Sequence, residues 1–370
     1  MITLLLLSFL LAFIASALLM RWARDHTKNY NVSKPQRFHF GATPRLGGLG
    51  VLVGMLAAWV FAASNSSGHA SLNAQLSWPV AIGWIVAVLP AVLGGAYEDV
   101  TQRLAVRFRL GLTILSAGLA CWLLGLSVAR LDLPGVDAVL MSLPWLGVAL
   151  AVLAICGLPH AFNIIDGYNG LAGTVAVMIG LALAHVALQQ GDRQLAASVL
   201  CMVGATAGFL VWNYPRGLIF AGDGGAYLWG VVIAIASITL VQRHETVSPW
   251  FPMLLLMYPV WETVFSIYRK LARGTSPGIA DALHFHQLIY RRIVSKVFHN
   301  DESKRLLLRN NRTSPYLWGF TVLTVVPAIL FWNNRNVLII FCLIFMGTYC
   351  VAYFSLVRFK SRFWLLKRKK

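Results

Sequence analysis

The chain has 370 residues, of which 58% are hydrophobic and 12% charged, where an average soluble protein carries about 25% charged residues; a water-soluble globule is excluded. Lys and Arg number 31 against 13 Asp and Glu, a formal charge of +18 that an apolar core cannot absorb unless it is held at the edges. The apolar runs are continuous and do not alternate with period two, which excludes a transmembrane β-barrel.

Eleven such runs of about 17–22 residues follow one another, each long enough to cross about 30 Å of hydrocarbon at about 1.5 Å per residue. They lie near 2–22, 47–63, 79–97, 109–128, 141–162, 170–188, 195–213, 224–241, 249–268, 315–332 and 336–357. The first has no basic residue ahead of it and Arg21 and Arg24 behind it, the reverse of a cleaved signal peptide, so it is expected to be retained with its N-terminus outside. Of the basic residues, 27 fall in the segments 21–46, 98–109, 214–222, 269–314 and the tail from Arg358, and only Arg130, Arg193, Arg243 and Arg335 fall on the alternate side. Lys and Arg concentrate in cytoplasmic loops, which predicts N-terminus out and C-terminus in. The expected fold is all-α and polytopic. It forms one transmembrane domain over 1–370, with a long basic cytoplasmic loop at 269–314 and a basic tail at 358–370 drawn to anionic membrane lipids.

Cys121, Cys156, Cys201, Cys342 and Cys350 all lie inside apolar runs without metal-ligand spacing and read as core residues. The pairs Gly50/Gly54 and Gly204/Gly208 read as close helix-packing sites. Neither an internal repeat nor a soluble domain is visible.

Thirteen acids are few enough to place one by one. Asp132, Asp137, Asp192 and Glu245 fall in outer loops and read as solvated turn residues. The others lie on or near the inner side, including Glu98, Asp99, Asp166, Asp223 and, within the ninth run, Glu262. A carboxylate at the edge of an apolar helix is costly to hold, so several on one face point to a polar cavity. Glu98 and Asp99 precede Arg103, Arg107 and Arg109, a mixture of signs suited to a phosphate and its metal. Asn163 and Asp166 share a helix face by their spacing, with Gly167, Asn169 and Gly170 following. Asp223 stands among glycines at a helix start, a hard oxygen ligand of the kind Mg²⁺ uses while keeping waters and bridging phosphates. In the basic loop that follows Asp281, His284 and His286 are two apart and so do not share a helix face; with Arg291 and Arg292 they read as donors to phosphate oxygens. Lys34, Arg37, His39, Thr43 and Arg45 form an anion-binding strip before the second run.

Five segments in this order, TPRLGG at 43–48, the acid pair at 98–99, NxxDGxNGL at 163–171, FxGD at 220–223 and DxxHxH at 281–286, resemble the polyprenyl-phosphate N-acetylhexosamine-1-phosphate transferase family from Lys34 to Arg292. The resemblance implies ten or eleven spans and a cytoplasmic, Mg²⁺-dependent active site, with Mn²⁺ as a substitute ion. It implies transfer of a sugar 1-phosphate from UDP-HexNAc to undecaprenyl phosphate with release of UMP, at the bacterial inner membrane, as the first membrane step of a surface glycan of the O-antigen or lipopolysaccharide kind. Carried over, Glu98, Asp99, Asp166 and Asp223 are the catalytic acids, and Asp99 and Asp223 also the metal ligands. Lys34, Arg37, His39, Thr43, Arg45, Asn163, Asn169, His284, His286 and Arg291 become substrate-binding residues. The chain departs from the family pattern at Glu98 and Asn169, where Asp is usual, and at Gln287, where a third histidine is common. No nucleic-acid partner is expected, and a homodimer is left open. The alternative from another class is a transporter of an anionic metabolite, which also places charge at broken helices.

Overall fold

The computed structural model describes residues 1–23, 43–65, 76–276, 281, 283–297 and 299–358; Lys34, Arg37 and His39 lie outside the described residues. Among these, the regular elements are helices: α1 (Ile2–Trp22), α2 (Gly47–Ser64), α3 (Trp78–Thr101), α4 (Val106–Leu124), α5 (Pro134–Ser142), α6 (Pro144–Ile165), α7 (Leu171–Gln189), α8 (Arg193–Asn213), α9 (Gly222–Arg243), α10 (Trp250–Leu255), α11 (Met257–Ala272), α12 (Phe285–Arg292), α13 (Glu302–Leu330) and α14 (Arg335–Val357). Ten of those described are long and apolar enough to cross a membrane, and the chain is a multi-pass membrane protein.

Two expectations are corrected. The ninth run, 249–268, is not one helix: it breaks at Leu256 between α10 and α11. Pro259 has no N–H to donate and its ring collides with the carbonyl four residues back, that of Leu255, which is where α10 stops. Among its described residues, the segment 269–314 is largely helical instead of being a loop. It holds α12 and the polar first turns of α13, which starts at Glu302 and not at 315. Asp301 caps that start, accepting from the backbone N–H groups of Ser303 at 2.8 Å and Lys304 at 3.3 Å.

The bundle is organised around α9, which is buried on nearly every side. Backbone meets backbone there. A Cβ on Gly48 of α2 would run into Gly225, one on Gly95 of α3 into Asp223 and Gly224, and one on Gly230 into Pro159 of α6. The expected small-residue pairs act in the same way on α1. Gly50 and Gly54 of α2 and Gly204 and Gly208 of α8 face Ser16, Ser8 and the carbonyls of Leu5 and Phe9, so α1 lies in a groove between two glycine faces. The five cysteines are unpaired and lie within helices, as expected.

The acids of the alternate loops brace that end of the bundle and are not merely solvated. Asp192 caps α8 through Leu195 N–H (2.9 Å) and pairs with Arg243 (3.1 Å). Asp137 accepts from the N–H groups of Leu131 and Leu133. Asp132 pairs with Arg130 at 2.5 Å and accepts from Ser248 Oγ at 3.1 Å. Glu245 alone of the four is exposed.

Candidate active site

The polar centre begins where the chain enters α2 and α9. Phe220 N–H donates to Pro44 C=O (2.8 Å), Gly47 N–H to Phe220 C=O (2.8 Å) and Gly48 N–H to Ala221 C=O (2.9 Å), so the two helix starts are laced together. Gly222 follows with φ +71°, and a Cβ there would fall on the Arg45 carbonyl and the Asp99 carboxylate; the position admits only glycine. Asp99, at the end of α3 and 5% exposed, fills that corner. Its Oδ1 accepts from Asp223 N–H and its Oδ2 from Gly224 N–H, both at 3.0 Å. A carboxylate from one helix thereby caps another, where the helix dipole favours negative charge.

Held this way, Asp223 turns its side chain to two donors. Asn163 Nδ2 donates to Oδ1 and Arg109 Nη1 to Oδ2, each at 2.7 Å. Arg109 comes from the start of α4, and both partners of this ion pair remain about one-fifth exposed, at 23% and 21%.

The loop between α6 and α7 supplies the second wall. Asn213 Oδ1 accepts from Gly170 N–H (2.6 Å) while its Nδ2 donates to Ile219 C=O (2.8 Å). From α13, Asn310 Oδ1 accepts from Asn169 N–H (2.8 Å), Asn311 Oδ1 from Asn169 Nδ2 (2.9 Å), and Ser314 donates to Asn169 C=O (2.6 Å). The loop is therefore fixed on both sides. Asp166 is half-buried and lines the cavity. Burial first, then the Asp223 charge, pushes its carboxyl up to about 7 against the opposing pull of Arg45.

The third wall is the start of α12. His284 precedes the helix with extended backbone (φ −66°, ψ 150°) and His286 lies in its first turn. The two imidazoles stack at 5.4 Å with 7° between their planes, and Tyr168 meets His286 edge-on at 5.6 Å. Burial, and then the neighbouring His284, pushes His286 down to about 3, so its ring is neutral.

These walls enclose a cavity of about 280 Å³ lined by Arg45, Asp99, Asn163, Asp166, Asn169, Asp223, His284 and His286 among others. Eight of the expected residues thus meet at one place. Glu98 does not: it turns away to accept from Leu104 N–H at 2.6 Å. Arg291 is exposed in the last turn of α12, and Thr43 is half-buried just ahead of Arg45, both outside the lining. Asn213 and Asn310 line the cavity without having been singled out in the sequence, and Gln287, one of the departures from the family pattern, also lines it. Three buried polar atoms in this lining, Asn169 Oδ1, His286 Nδ1 and Gln287 Oε1, have no hydrogen-bond partner among the described residues. Buried polar groups are nearly always paired, so they mark where a ligand completes the site.

The cavity carries three carboxylates and one guanidinium in its lining. Among the described residues no group of three or more His, Cys, Asp or Glu forms a closed metal cage. Mg²⁺ does not need one, because it binds through one or two carboxylates with waters and phosphates. Asp166 and Asp223 fit that role better than Asp99, which is buried and bonded to backbone amides of α9 that cannot move aside, whereas Asp223 is bonded to movable side chains and remains about one-fifth exposed.

Residues 81–241 match the model of glycosyl transferase family 4. The chain is 27% identical over 256 residues to a probable undecaprenyl-phosphate N-acetylglucosaminyl 1-phosphate transferase of Bacillus subtilis (strain 168), covering 68% of this chain and 66% of that protein. It is 27% identical over 292 residues to the undecaprenyl-phosphate alpha-N-acetylglucosaminyl 1-phosphate transferase of Escherichia coli (strain K12), covering 75% of this chain and 74% of the relative. A phospho-N-acetylmuramoyl-pentapeptide-transferase of Synechococcus sp. (strain JA-3-3Ab) is 30% identical over 224 residues, 60% of this chain and 63% of its own length.

Proposed function

We propose that this chain, a member of the polyprenyl-phosphate N-acetylhexosamine-1-phosphate transferase family, transfers a HexNAc 1-phosphate from a UDP-sugar to undecaprenyl phosphate, giving a lipid-linked diphospho-sugar and UMP. The observation that carries this reading is the cavity itself, where acids, stacked imidazoles and unpartnered buried amides converge among helix ends. A transporter of an anionic metabolite is not supported: the polar groups gather at the ends of the spans, whereas such carriers bind near the midplane.

In the membrane we read eleven crossings, the ninth being the broken α10–α11 pair, with the N-terminus outside and the cavity facing the cytoplasm at the bacterial inner membrane. The charge count supports this, since 27 of the 31 basic residues belong to the segments read as cytoplasmic.

The acceptor is a phosphate monoester whose second pKa is near about 6, so it arrives largely dianionic and needs little help from a base. Repulsion is the obstacle. One of its oxygens attacks the donor's β-phosphorus, forming a new P–O bond as the bond to the bridging oxygen breaks and UMP departs; the sugar's anomeric bond is untouched. Arg45 and the histidine pair bind and orient the phosphates, and Asn163 and Arg109 hold Asp223 in place. Asp166 and Asp223 would hold Mg²⁺, or Mn²⁺ in its stead, which supplies the positive charge that a cavity with three acids lacks. Asp99 acts on Asp223 through the amides of α9.

The test is UMP release by purified chain across a panel of UDP-HexNAc donors with added undecaprenyl phosphate. Turnover that needs both substrates and a divalent ion, and that Asp223→Asn abolishes, is the expected result; undiminished release by that variant overturns the assignment.

A further inference from the structure

The ninth crossing carries a carboxylate that the proposed reaction does not use. Glu262 is fully buried on α11, and both of its oxygens are occupied. Oε1 faces His284 Nδ1 at 3.0 Å and accepts from Phe285 N–H at 3.2 Å, while Oε2 accepts from the Tyr349 hydroxyl of α14 at 2.7 Å. A carboxylate surrounded by N–H and O–H donors only accepts, so the His284 ring donates from Nδ1. Its Nε2 is then the nitrogen left for a ligand in the cavity that His284 lines.

An ionised carboxylate this deep requires a balancing positive charge. Among the described groups around it, few can supply one. Tyr349 on α14 and Tyr258 on α11 are neutral phenols. Arg269, farther along α11, is already paired with Asp281, and Tyr353 is bonded to Leu283 C=O at 3.2 Å. His286, stacked on His284, is held neutral by burial. That leaves His284.

We propose that Glu262 is a positioning residue that holds His284 as an imidazolium, with Nδ1–H tied to the carboxylate and Nε2–H presented to a substrate phosphate. This deepens the transferase reading and rests on it. Glu262 touches no substrate; it fixes the ring's orientation and charge, as partners behind a ligating histidine do elsewhere. The bland alternative is that Glu262 merely caps α12 through Phe285 N–H. Glu262→Gln separates the two, because an amide oxygen still accepts from that N–H but carries no charge.

The experiment measures kcat and KM for UDP-HexNAc against pH in the full chain and in Glu262→Gln, Glu262→Asp, His284→Gln and the Glu262→Gln/His284→Gln double variant. Glu262→Gln is expected to lower kcat/KM by about 10–100-fold and to move the alkaline limb of the profile to lower pH. Glu262→Asp should recover part of the loss, and Glu262→Gln should add nothing in the His284→Gln background. An unmoved limb, or losses that multiply in the double variant, overturns the proposal. Should Glu262→Gln not fold, ¹⁵N-histidine solid-state NMR of the unmodified chain decides. The ring signal that vanishes in His284→Gln is expected to show both nitrogens protonated near neutral pH, and a ring with a bare Nδ1 refutes the idea. Absence of UMP release from every donor would instead sink the transferase reading, and the NMR result would still stand for or against Glu262.

Discussion

Asp99→Asn tests whether this acid is a cap or a metal ligand. In the structure its two oxygens each accept one backbone N–H from the start of α9, at 3.0 Å. An asparagine keeps one acceptor and turns an NH₂ group toward the other amide, leaving a buried N–H unpaired at a cost of about 1–3 kcal/mol. The expected loss is therefore about 1–3 kcal/mol of stability, with α9, on which α2, α3, α4, α6, α7 and α8 pack, as the element disturbed. Thermal unfolding in detergent should show a clearly lowered midpoint, and Mn²⁺ titration followed by electron paramagnetic resonance should show affinity falling far less than in Asp223→Asn. A variant that melts with the unmodified chain yet no longer binds Mn²⁺ would mean that Asp99 is a direct ligand and that the capping argument is wrong.

Asp166 gives a pH prediction. Its folded carboxyl sits at about 7, above the ordinary value near 4, so folding takes up a proton between those values and the metal-free chain loses stability as pH rises through that window. A cation competes with the same proton, so Mn²⁺ affinity should climb with pH up to about 7 and level off above it. Asp166→Asn should flatten the climb; an identical slope in the variant would show that another group titrates. Gly222→Ala combines a left-handed backbone, worth about 1–3 kcal/mol for a residue with a side chain, with a methyl placed on the Asp99 carboxylate and the Arg45 carbonyl. It should depress UMP release by on the order of 100-fold through displaced groups while the chain still inserts and folds, and near-normal turnover would show that the corner yields freely.

How much of this was legible in the residues depends on what each residue advertises. Ten crossings could be read because an apolar run of sufficient length has few other uses in a chain. The break in the ninth could not, since hydropathy averages over Leu256 and Pro259 alike; only the steric effect of that proline on the Leu255 carbonyl reveals it. Nor could the early start of α13, because its first turns are polar and charged and carry no membrane signal. The site divides along the same line. Asp99, Asp166 and Asp223 stood out because a carboxylate in so apolar a chain demands a reason. Asn213 and Asn310 are neutral amides whose importance lies in bonds to the backbone of Asn169 and Gly170, which spacing cannot show.

Two pairs of neighbouring residues are arranged by local geometry. Neighbouring residues on a helix project about 100° apart, so Glu98 and Asp99 cannot both face α9: Asp99 reaches its amides, and Glu98 closes the turn after α3 through Leu104 N–H. For the histidines the opposite holds. Residues two apart diverge within a helix, but His284 stands before α12 in extended backbone, which swings its ring onto that of His286. Apart from each other, the two imidazoles have different neighbours, a buried carboxylate behind one and the aromatic edge of Tyr168 beside the other. A pair that looks redundant as sequence is divided into one ring held from behind by a carboxylate and one packed among aromatic rings.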